Sequence, residues 1–156
     1  MWRSLPLTSA GSFRLPGRME DNMRAVLMSM KPQWWEKILA GEKLLEIRKS
    51  APKGGAGEPE PWPLLVLVYV SGTGAVQGQF SCEGWVKTNY LQFLERLSCV
   101  PLEDLEKYAG GPGKKLCGWV IKSAEKFDTP SPLAEFGLNR PPMSWQYIEI
   151  PDAAEE

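Results

Sequence analysis

Gly41-Glu42-Lys43-Leu44-Leu45-Glu46-Ile47-Arg48 is the stretch around which the rest of the chain is ordered. Glycine tolerates positive φ, so Gly41 is the expected end of a helix. The residues after it read as a strand over 43–49. Alternation places Glu46 and Arg48 on one face of that strand, with Lys43 at its entry. Upstream, Arg24 to Met30 reads as a first strand, and Ser29-Met30-Lys31-Pro32 leads it into the helix. Pro32 suits a first helical position, where its missing N–H costs nothing. Trp34, Trp35, Ile38 and Leu39 recur at helical spacing, with Gln33, Glu36 and Lys37 on the other side. Two strand–helix turns therefore direct Lys31, Lys43, Glu46 and Arg48 toward one region.

Beyond Arg48 the chain alternates between strands and short helices. Pro52 to Pro63 is rich in glycine and proline and reads as a surface loop. Leu64-Leu65-Val66-Leu67-Val68-Tyr69-Val70 is an unbroken apolar run, which suits a strand covered on both faces. Ser71-Gly72-Thr73-Gly74 turns the chain into a long strand over 75–87, where Gly78 and Gly84 mark bulges or bends. Short helices are expected over 90–97 and 101–108, the second with Leu102, Leu105 and Tyr108 on one face. Leu116 to Phe127 and Ser144 to Ile150 read as the last strands. Roughly six strands with irregularly spaced short helices favour an α+β domain built on a strongly twisted sheet or small barrel.

The totals bound the function. At 156 residues one domain is the simplest organisation. The formal net charge of −1 argues against coating nucleic acid by charge alone. Between Arg24 and Lys53, however, seven cations face three anions, and the C-terminal end carries Glu149, Asp152, Glu155 and Glu156. A basic patch on a near-neutral body suits a small anionic ligand or a short nucleic-acid strand; the alternative is a set of solvated surface lysines. Histidine is absent. That removes serine–histidine and cysteine–histidine catalysis and disfavours zinc, so no metal is expected. Cys82, Cys99 and Cys117 show no metal or redox spacing, and free, mostly buried thiols in a reducing cytoplasm are expected. Residues 1–22 read as a disordered leader or a non-native start, with no signal-peptide core. No apolar run is long enough to span a membrane as a helix.

Two groups of residues then resemble a known family. Met28-Ser29-Met30-Lys31-Pro32, Trp35 to Lys43 and Glu46-Ile47-Arg48-Lys49 resemble the opening of ASCH domains, the activating-signal-cointegrator homology domains of the PUA-like superfamily. Pro132-Leu133, Phe136-Gly137 and Pro141-Pro142-Met143-Ser144-Trp145-Gln146-Tyr147 resemble the family's closing motif. The resemblance covers 23–150 and leaves 151–156 as an acidic tail. It implies a small β-barrel with helices around it, a cleft beside the first helix, RNA or nucleotide as ligand, and no cofactor. One bacterial branch of the family removes acetyl groups from N4-acetylcytidine with a lysine, a threonine and a glutamate. The resemblance matches Lys43 to that lysine and Glu83 to the glutamate. Glu46 stands where the threonine would be, so the hydroxyl is missing here.

Residue chemistry agrees with a binding cleft. Arg48 offers a planar fork for phosphate or a base edge. Glu46 can accept from an exocyclic amine or orient Arg48. Lys31 and Lys43 would serve as mobile point charges toward phosphate. Trp34 or Trp145 offers a face for a base, and Ser144 a short hydroxyl contact. Each has a plainer alternative: an i,i+2 salt bridge on an exposed strand for Glu46 and Arg48, solubility for the lysines, core packing for the tryptophans, and a simple strand start for Ser144. An enzyme acting on a modified nucleoside or RNA, with Lys43, Glu46 and Glu83 as its groups, and a protein-interaction module with a vestigial cleft remain the other functional readings.

Overall fold

Leu64 to Val70 is β3, and all seven of its residues are buried, as an apolar run without alternation requires. The computed structural model describes residues 22–52 and 62–151. The expected leader, the acidic tail and most of the Gly/Pro loop lie outside them, except that Asn22 and Pro151 belong to strands. In chain order the elements are β1 (Asn22–Met30), α1 (Pro32–Leu39), β2 (Leu45–Arg48), β3, β4 (Ala75–Thr88), α2 (Leu91–Ser98), α3 (Leu102–Ala109), β5 (Leu116–Pro132), a 3₁₀ turn (Leu133–Phe136) and β6 (Trp145–Pro151).

The strands hydrogen-bond in the order β2-β5-β4-β3-β1-β6. This corrects the expected closed barrel: the order ends at β2 and at β6, and the sheet is open. Closure is set by tilt and register summed over all strands, which alternation within one strand does not encode. The α+β class and the number of strands are as expected.

The chain divides into two compact units, with β4 and β5 each contributing to both. In the first, β1 pairs in parallel with β3 and antiparallel with β6. Ala25 and Leu27 share a core with Leu65, Leu67, Tyr69, Val76, Phe127, Ile148 and Ile150. The period-2 alternation on β1 and β6 accounts for this: one side chain in two faces that core.

The second unit holds β2 against β5, in the register Glu46↔Trp119, Ile47↔Gly118 and Arg48↔Cys117. Leu45 and Ile47 point into a core with Leu91 and Leu94 of α2, Leu105 of α3 and Leu116. Gly118 makes this packing possible, because a Cβ there would stand 3.0 Å from Leu45 Cδ1 and 3.3 Å from Leu94 Cδ2. Glu46 and Arg48, on the opposite face, share it with Trp119 and Cys117. The helices end as their sequences suggest only in part. Gly110 closes α3 in the left-handed region, but α2 ends on Cys99, a non-glycine residue at φ 69°. Glu95 of α2 accepts a 2.8 Å hydrogen bond from the Leu102 N–H, capping the start of α3.

All three cysteines are free thiols, with Cys82 and Cys117 buried. Cys82 is fully covered, and its Sγ–H donates to the Gly84 carbonyl at 3.2 Å. Burial pushes its pKa up to about 11 from an ordinary 9.0. Between these values the folded thiol keeps a proton that the unfolded chain has lost. Stability contributed by Cys82 is therefore complete below pH 9 and falls as pH rises, by up to about 1.4 kcal/mol per pH unit. Urea denaturation across this range should show wild type losing ground against Cys82→Ala; a constant difference would contradict the assignment.

Candidate functional site

Gly41, at φ +79°, lets the chain leave α1 and turn into β2. Both the Glu42 and Lys43 N–H groups donate back to the Lys37 carbonyl, at 3.0 and 3.1 Å. The segment is then fastened to the end of α2. The Leu44 N–H donates to the Leu97 carbonyl at 2.8 Å, Lys43 Nζ to the Ser98 carbonyl at 2.8 Å, and Cys99 Sγ–H to the Glu42 carbonyl at 3.3 Å. These bonds hold Lys43 inward.

Lys43 is only 2% exposed. Its Nζ lies 3.5 Å from Glu46 Oε1, an ion-pair distance, and 4.9 Å from the centre of the Trp34 ring on α1. Burial holds the Lys43 amine below its ordinary value; the Glu46 charge pulls the other way. Glu46 Oε2 receives two guanidinium contacts, from Arg48 Nε at 2.9 Å and Nη2 at 2.8 Å. Glu46 Oε1 is buried, and its contact is the ion pair with Lys43 at 3.5 Å rather than a short hydrogen bond. The result is one carboxylate between two cations, over the Trp119 side of the sheet, with Trp34 against the lysine.

The i,i+2 pair of Glu46 and Arg48 is thus present, but buried rather than on an exposed strand face: the side chains keep 6% and 11% of their surface. Lys43 is a fixed, buried ammonium rather than a mobile point charge. Trp34 is half-buried with a face toward Lys43, whereas Trp35 and Ile38 take the packed side of α1 and Leu39 is 38% exposed. Glu83 is exposed on β4 and accepts from the Ser81 hydroxyl at 3.2 Å.

Lys31, Ser144 and Trp145 belong to the other unit. Lys31 is exposed, directly before α1. The Ser144 carbonyl accepts from the Ser29 N–H at 3.0 Å. Trp145 meets Tyr147 edge-on at 5.5 Å, and the Arg24 guanidinium lies 4.2 Å from the Tyr147 ring. Sequence reasoning missed the Ser98 carbonyl and Cys99. No local pattern marks a carbonyl that a lysine 55 residues away will seek. It also missed Tyr108 as a neighbour of the site, although it placed that residue on one face of its helix with Leu102 and Leu105.

In sequence, no protein-family model and no curated protein matches this chain. In fold it is similar to solved structures of the ASCH protein from Zymomonas mobilis. One, with that protein's own sequence, is 19% identical with a TM-score of 0.64, covering 79% of this chain and 86% of that one. A serine-to-alanine variant gives 16% identity and a TM-score of 0.66, over 84% and 92% of the two chains. A tyrosine-to-phenylalanine variant gives 16% and 0.65, over 84% and 94%. The fold is that of an ASCH domain.

Proposed function

We propose that this chain, folded as an ASCH domain, is a member of that family that binds RNA or a nucleotide through the Lys43–Glu46–Arg48 cluster. The observation that supports the reading most is the cluster's charge and burial. Two cations and one carboxylate leave an excess of positive charge where water is largely excluded, so an anionic ligand gains more there than on an open surface. Arg48 supplies a planar donor set for phosphate or a base edge. Glu46 fixes the orientation of that fork, Lys43 holds Glu46, and Trp34 offers an aromatic face beside them. Lys31, Ser144 and Trp145, in the other unit, have no part in this reading.

Replacing Arg48 by lysine keeps the charge and removes the fork. Affinity for cytidine nucleotides or short single-stranded RNA, followed by tryptophan fluorescence, should fall by at least about 1 kcal/mol. Unchanged affinity in Arg48→Lys would remove Arg48 from the site.

One observation favours a second reading. A buried lysine with a lowered pKa, beside a carboxylate, is suited to act as nucleophile or base. In a hydrolase acting on a modified nucleoside or RNA, Lys43 would take that role and Glu46 or Glu83 would carry the proton. Release of cytidine from N4-acetylcytidine, lost in Lys43→Met, would establish this reading for that substrate; no release would remove it.

A further inference from the structure

Tyr108 and Lys49 lie at the same end of β2 as Arg48 and have no role in the site as described so far. Lys49 is the residue after Arg48 and is exposed. Its Nζ lies 5.1 Å from the centre of the Tyr108 ring. Burial pushes the Tyr108 phenol above its ordinary pKa, while the charges of Arg48 and Glu46 act on it in opposite directions. Tyr108 keeps 40% of its surface exposed, whereas Leu105 on the same helix is buried. Among the described residues Lys49 makes no ion pair. The ring thus stands with an ammonium beside it, and both are open to solvent.

We infer that Tyr108 and Lys49 form an outer subsite that takes a nucleotide phosphate on the Lys49 ammonium, with the nucleoside packed against the Tyr108 ring. This rests on the nucleotide-binding reading and extends it. Arg48 and Lys49, adjacent in the chain, divide the work. Arg48, locked to Glu46, presents a fixed fork. Lys49, on a flexible stem, follows a tetrahedral anion whose position varies. A ring with an exposed face accepts any base or sugar, so the subsite selects for phosphate rather than for sequence. The phosphate can belong to a mononucleotide or to the backbone of RNA.

The test compares cytidine, cytidine 5′-monophosphate and the dinucleotide CpC as probes of wild type, Lys49→Ala and Tyr108→Leu. In wild type, the phosphate should improve affinity over cytidine by about five- to tenfold. Lys49→Ala should erase that gain and leave cytidine binding unchanged. Tyr108→Leu should weaken all three probes about fivefold or more. Loss confined to the monophosphate identifies a free nucleotide as the source; loss confined to CpC identifies RNA. Lys49 is exposed, so its variant leaves the fold intact, and an unchanged melting temperature verifies this. If wild type binds the probes and Lys49→Ala keeps the full phosphate gain, the subsite is overturned while the nucleotide-binding reading stands. If wild type binds none of them, that reading fails and the subsite with it.

Discussion

Replacing Glu46 by alanine is expected to cost about 3–5 kcal/mol of folding stability, a large share of what a domain of this size possesses. Among the described residues the carboxylate is the anion that faces both cations, Lys43 at 3.5 Å and Arg48 at 2.8 Å. Without it, two cations with 1% and 11% of their side-chain surface exposed face each other across a cavity. Each has already lost most of its hydration. The cost is therefore mainly the penalty of buried charge without its counter-ion, not the loss of two hydrogen bonds. That distinction is measurable. A triple variant, Lys43→Met with Glu46→Leu and Arg48→Met, removes the charges together and should lie within about 2 kcal/mol of wild type, on either side. A cluster kept for stability alone would make the triple variant as unstable as Glu46→Ala. A cluster kept for its ligand would leave the triple variant folded and unable to bind.

Trp119→Ala is the second large effect. Trp119 is completely buried on β5, directly across the ladder from Glu46, and its indole N–H donates to the Ser50 carbonyl at 3.0 Å. Truncation removes the largest fully covered side chain among the described residues and leaves a cavity beside Glu46 on the ladder. Chemical denaturation should show a loss of about 3–5 kcal/mol. Because Trp119 and Glu46 are cross-strand neighbours, the double variant should lose less than the two single losses combined, by about 0.5–3 kcal/mol. Strict additivity would mean that the tryptophan does not support the cluster.

Much of this arrangement is legible in the sequence. Local chemistry wrote the end of α1 at Gly41, the burial of β3 and the common face of Glu46 and Arg48. Each needs only a glycine, an apolar run or a period of two. The burial of Lys43 was not legible. Its side chain is drawn inward by the Ser98 carbonyl, one of the last carbonyls of α2, which have no partner within the helix. That contact has no local signal. The open sheet was missed for a similar reason: strand order is decided by which edges meet, and single-strand patterns are silent about that. Leu39 shows the limit of helical spacing, since its position predicts a packed face that the second unit does not cover.

The most direct test of nucleotide binding at this cluster is a titration of the ¹⁵N-labelled protein with cytidine 5′-monophosphate, followed by amide and indole chemical shifts. The account predicts saturable shifts at the Trp34 indole and at residues 43–49, with smaller changes through the β1–β3 core. Saturable shifts elsewhere, with Trp34 and residues 43–49 unmoved, would contradict it.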